Sequence, residues 1–122
     1  MMQSAVLITM ISLTLAACTQ NRARVVSSPY SNGVLHSEPV FYNGKNYKMD
    51  FRFQASQNAY DVKVSGKGGR RIGGKPGDGK IVSNMVSSAI RHFACARGQK
   101  AVVLPGTARN QNGTWRMQAR CA

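Results

Sequence analysis

From Tyr47 to Ala55 apolar and polar residues alternate without a break. Tyr47, Met49, Phe51, Phe53 and Ala55 fall on one side, and Lys48, Asp50, Arg52 and Gln54 on the other. A period of two is the geometry of a strand, and one polar side means that only one face is buried. Whatever this chain folds into must cover one face of a sheet and leave the other wet. Upstream, Val40-Phe41-Tyr42 precede Asn43-Gly44, a dipeptide suited to a two-residue hairpin because both turn positions need positive φ. Downstream, Tyr60, Val62 and Val64 alternate with Asp61 and Lys63 after a short polar link. The simplest account is a three-stranded antiparallel meander.

A helix is predicted over residues 79–97, where Val82, Met85, Val86, Ala89, Ile90 and Phe93 form one stripe at spacings of three and four. Asp78 is its expected N-cap and Gly98 its expected stop. Strand character resumes over residues 100–104, breaks at Pro105-Gly106, and returns after a turn at residues 110–113. There Trp115, Met117, Ala119 and Cys121 alternate with Thr114, Arg116, Gln118 and Arg120. The expected fold is a small α+β domain, an antiparallel sheet in the order β-β-β-α-β-β with the helix on one face. No second domain, internal repeat or heptad pattern is visible.

The amino terminus carries a different signal. A thirteen-residue apolar run, residues 5–17, ends in Leu15-Ala16-Ala17-Cys18 and switches abruptly to Thr19-Gln20-Asn21. The run is shorter than the ~20 residues that span a bilayer, so it reads as a signal h-region, although residues 1–4 contribute no Lys or Arg. Leu15 to Cys18 resembles the lipobox of bacterial lipoproteins. That resemblance implies cleavage before Cys18, a diacylglyceryl thioether on its sulfur and an acyl group on the new amino terminus. Two or more acyl chains anchor stably where one holds only reversibly, at ~0.8 kcal/mol per buried methylene. Thr19, rather than Asp, after the lipidated cysteine points by the same resemblance to the outer membrane, facing the periplasm. The expected organisation is a signal peptide over 1–17, a lipidated cysteine and flexible tether over 18–37, and one domain over 38–122. A flexible tether of that length spans roughly 22 to 26 Å.

With Cys18 carrying lipid, the remaining cysteines, Cys95 and Cys121, form an even pair in an oxidising compartment, and a disulfide between them is expected. An ideal helical wheel sets Cys95 nearly opposite the apolar stripe, so the bridge requires a distorted last turn. No Cys-x-x-Cys spacing suggests a metal. His36, in the expected tether, and His92, on the helix, show no ligand set, where zinc needs three or four. No metal or cofactor is expected.

The net charge of +13 comes from seventeen Lys and Arg against only Glu38, Asp50, Asp61 and Asp78. Lys48, Arg52, Lys63, Arg116 and Arg120 are assigned to the uncovered sheet face, where a basic surface attracts anionic partners. The segment 66–79 adds Lys67, Arg70, Arg71 and Lys75 among seven glycines. It reads as a mobile basic loop whose amides could cradle a phosphate. Its end matches G-x-x-x-x-G-K, but Ile81 stands where Ser or Thr would hold magnesium, which argues against a nucleotide. Nucleic acid is disfavoured too, because the aromatics alternate onto the core side rather than the exposed face where bases stack. Ser83, Ser87 and Ser88 have no identifiable histidine and carboxylate team, so an enzyme is not expected. Arg70, Arg71, Lys75, Arg116 and Arg120 are the expected anion-binding residues. Two functions follow as expectations: a non-catalytic envelope lipoprotein binding an anionic envelope component, or an accessory docking subunit of an envelope assembly or secretion complex.

Overall fold

The structure is a computed structural model and describes residues 29–122. The signal segment, Cys18 and the first part of the tether lie outside the described residues.

The chain forms β1 (His36–Tyr42), β2 (Lys45–Gln54), β3 (Ala59–Gly66), α1 (Pro76–Phe93), β4 (Ala101–Val103), β5 (Arg109–Gln111) and β6 (Thr114–Cys121). It is the small α+β fold that the alternation dictates, with one strand more than expected. The sheet runs β1-β2-β3-β6-β4, all antiparallel, and β5 also pairs with β6. Both Asn-Gly hairpins form as their φ values require: Asn43 at 51° and Gly44 at 78°, Asn112 at 55° and Gly113 at 84°.

Helix α1 covers one face. Val82, Met85, Val86, Ala89 and Ile90 are buried against Met49, Phe51, Val62, Val64, Trp115, Met117 and Ala119 in a single core. Burying such side chains is worth about 1.5 to 3 kcal/mol each, which makes this face the main source of stability. Ser87 Oγ donates to the Ala101 carbonyl at 2.6 Å and ties the helix to β4.

The helix is displaced from its predicted bounds at both ends. It begins at Pro76, whose fixed φ and missing N–H suit the first helical position. Asp78 is therefore not the N-cap but the third helical residue, its carboxylate accepting the Lys75 N–H at 3.1 Å. Nor does Gly98 stop the helix. Ala94 ends it at φ −124°, and Gly98 turns the chain at φ 86° on the way to β4. Cys95 thus lies past the helix, where the wheel argument no longer applies. It stands at disulfide distance from Cys121, with S–S 2.10 Å and Cα–Cα 5.5 Å.

Residues 30–37, expected as tether, touch the domain through Tyr30, Asn32, Gly33 and His36, and β1 already begins at His36. Tyr30 meets Phe51 edge-on at 5.3 Å and donates its hydroxyl to the Phe93 carbonyl at 3.1 Å. Burial, reinforced by Glu38, pushes its phenol pKa up. Asn32 and Gly33 bridge to the edge of β2, Gly33 N–H donating to the Phe53 carbonyl at 2.7 Å. His36 opens β1 and its ring lies against Tyr30 and Phe51, at 4.2 and 5.8 Å.

Candidate anion-binding face

The face away from the helix carries the other half of each alternating strand. Its register can be followed across the sheet. Arg109 on β5 is directly opposite Arg116 on β6, Arg116 is opposite Lys63 on β3, Lys63 is opposite Asp50 on β2, and Asp50 is opposite Ser37 on β1. One straight row across the sheet therefore begins with three consecutive cations. Adjacent strands lie ~4.7 to 4.9 Å apart, and like charges facing each other at that spacing weaken a sheet.

The acids on this face are engaged within the domain. Asp50 accepts a bond from Ser37 Oγ at 2.6 Å and lies 3.9 Å from Lys48 Nζ, the one ion pair among the described residues. Asp61 accepts a bond from Gln118 Nε2 at 2.9 Å. Lys63, Arg109 and Arg116 make no side-chain hydrogen bond or ion pair among the described residues.

These side chains line an open groove of about 670 Å³, floored by β2, β3 and β6. Arg52, Gln54 and Leu35 border one side, and Thr107, Arg109 and Gln111 the other. The β5 side is held in place by Thr107, whose hydroxyl accepts the Gln118 N–H at 3.1 Å and donates to the Leu104 carbonyl at 2.7 Å.

The five cations expected to bind anions do not form one site. Arg116 sits in the groove. Arg120 shares its face but is committed elsewhere: its guanidinium donates to the Asn58 and Gln57 carbonyls, both at 2.9 Å, clamping the link between β2 and β3. Arg70 and Arg71 border a smaller cleft of about 110 Å³ with Lys45 and Asp78, and Lys75 immediately precedes α1. Arg70 is itself tied down, donating to the Asn46 carbonyl at 2.8 Å with its guanidinium 5.1 Å from the Tyr47 ring centre.

The glycine-rich segment is pinned rather than a free loop. Ile72 is buried and donates its N–H to the Gly113 carbonyl at 2.8 Å, and Trp115 Nε1 donates to the Gly73 carbonyl at 2.9 Å. The Asn110 amide donates to the Ile72 carbonyl at 3.2 Å. The G-x-x-x-x-G-K stretch runs into the first turn of α1, with Gly77 and Gly79 already helical.

Sequence reasoning missed Arg109 as a site residue. Its signal is the Asn112-Gly113 turn: a two-residue hairpin pairs Gln111 with Thr114 and therefore Arg109 with Arg116. No cluster of three or more His, Cys, Asp or Glu able to hold a metal occurs among the described residues. No helix among them is long and apolar enough to cross a membrane. No protein-family model, no curated protein and no solved structure matches this chain.

Proposed function

We propose that this chain is a non-catalytic lipoprotein of the bacterial cell envelope, anchored through Cys18, whose basic domain binds an anionic envelope component. The outer membrane, on its periplasmic side, is the proposed location. The anchor is supported by the resemblance of Leu15 to Cys18 to a lipobox. Binding is supported by one observation above others: Lys63, Arg116 and Arg109 stand in a row without protein partners while Asp50 and Asp61 are occupied internally. A fold that keeps adjacent like charges gives up stability that an anion would return. Arg70, Arg71 and Lys75 add a second basic group near the start of α1.

The test is co-sedimentation of the full protein with lipopolysaccharide vesicles and with isolated peptidoglycan at increasing salt. Binding should fall as the screening length shortens from ~10 Å at 0.1 M to ~3 Å at 1 M. Salt-independent binding, or none, overturns the proposal.

One observation favours the docking-subunit alternative. Phe41 is 70% exposed on β1, an edge strand of the sheet, and Val34 and Leu35 are exposed nearby in sequence. Co-purification with a defined membrane complex after mild solubilisation, lost on Phe41→Ser, is the outcome this alternative requires.

A further inference from the structure

The groove has a charge count of its own. Arg52, Lys63, Arg109 and Arg116 line it together with Asp50 and Asp61, an excess of two positive charges. A carboxylate brings one negative charge, whereas a phosphate monoester brings ~1.5 to 2 at neutral pH and three acceptor oxygens. Two of the three cations in the unpartnered row are arginines, whose planar forks donate two parallel bonds to such an oxyanion.

Size and lining restrict what the phosphate is attached to. At about 670 Å³ the groove lies within the ~300 to 1,000 Å³ of small-molecule sites, much more than an inorganic phosphate fills. No aromatic side chain lines it: Tyr47, Phe51, Phe53 and Trp115 are buried in the core on the helix side. A nucleobase would lack the ring on which bases stack. The neutral polar lining includes Gln54 and Gln111, whose amides can both donate to and accept from hydroxyl groups.

From this combination we infer that the groove binds a phosphorylated saccharide, with its phosphate on the row Lys63, Arg116 and Arg109 and its hydroxyls toward Gln111, two residues from Arg109 on the same side of β5. The inference rests on the proposal that the domain binds an anionic envelope component, and it names the chemistry of that component and the face that takes it.

The experiment is calorimetric titration of the full protein in detergent with glucose 1-phosphate, inorganic phosphate, glucose and adenosine 5′-monophosphate. Glucose 1-phosphate should bind most tightly, by about tenfold over inorganic phosphate, a difference of ~1.4 kcal/mol. Arg116→Gln combined with Lys63→Gln should abolish that preference, and Arg97→Gln, outside the groove lining, should keep it. Arg109→Gln, on the short strand β5, supplies the same test if the double variant does not fold. Inorganic phosphate binding as tightly as glucose 1-phosphate, tighter binding of the nucleotide than of the sugar phosphate, or wild-type binding by both groove variants, overturns the inference. If the protein still sediments with anionic vesicles under those outcomes, the broader proposal survives and only the groove assignment fails. Displacement from lipopolysaccharide vesicles by glucose 1-phosphate would identify the source as a membrane glycolipid, while soluble binding without displacement would identify a free sugar phosphate.

Discussion

The indole of Trp115 lies so close over Gly79 in the first turn of α1 that a β-carbon on that glycine would come within 2.8 Å of the ring. The same indole donates to the Gly73 carbonyl, so one side chain fixes both the glycine-rich segment and the approach of the helix. Gly79→Ala should gain about 1 kcal/mol of helix propensity but lose about 1 to 3 kcal/mol to overpacking, for a net destabilisation. Urea unfolding followed by Trp115 fluorescence reads both the stability and the displaced ring. A variant more stable than wild type, with an unchanged emission spectrum, would contradict this packing.

Cys95 and Cys121 close a loop spanning 26 positions of sequence separation. In the chain-entropy model such a bridge contributes roughly 3 to 4 kcal/mol. Non-reducing peptide mapping should recover the two cysteines in one linked peptide, and Cys121→Ser should lower the midpoint of thermal unfolding. Full alkylation of both thiols without reductant would refute the bridge.

Tyr30 gives the fold a pH dependence at the alkaline end. Burial first, and Glu38 second, raise its pKa above the ordinary value of 10.0. The neutral phenol is thus favoured in the folded state. Its contribution is complete below the unfolded pKa and is lost as pH rises through the higher folded one. Tyr30→Phe should cost about 0.5 to 1.5 kcal/mol at neutral pH through the lost bond to Phe93, and should flatten the fall in stability above pH ~10. Denaturant titrations at a series of pH values measure both.

The sheet and the buried face of the helix were legible because each has one wet side. Periodicity of two placed Phe51, Met117 and Ala119 in the core, and periodicity of three and four did the same for Met85 and Ile90. Residues 109–111 are too few to show an alternation, so periodicity alone does not set Arg109 beside Arg116. The helix start is ambiguous in the sequence because Asp78 suits an N-cap as well as an acidic third residue, and Pro76 suits a loop as well as a first helical position. Arg120 and Arg116 look alike on the strand. Only the position of the Gln57 and Asn58 carbonyls separates a structural clamp from a free charge.

The anchor prediction rests on Leu15 to Cys18 and on the polar residues that follow. Intact mass of protein extracted from membranes should show loss of residues 1–17 and a lipid-sized addition on Cys18, and Cys18→Ser should release the domain from the membrane fraction. A mature protein that keeps Met1 and remains soluble would exclude a lipid anchor.

Arg116 and Arg120, four residues apart on one face of β6, should respond differently to neutralisation. Arg120 holds two backbone carbonyls through its guanidinium, so Arg120→Gln should cost about 1 to 3 kcal/mol as those acceptors lose a charged donor. Arg116 stands between Arg109 and Lys63 with no partner of its own among the described residues. Removing its charge relieves two facing like-charge contacts, each worth roughly 0.2 to 1 kcal/mol, so Arg116→Gln should be neutral or stabilising in ligand-free protein. Added salt should narrow the Arg116 difference, since screening weakens the repulsion that causes it, while leaving most of the Arg120 loss in place. Parallel denaturation curves at low and high ionic strength decide the matter. If Arg116→Gln loses as much stability as Arg120→Gln, the row is part of the scaffold and not a surface kept for an anion.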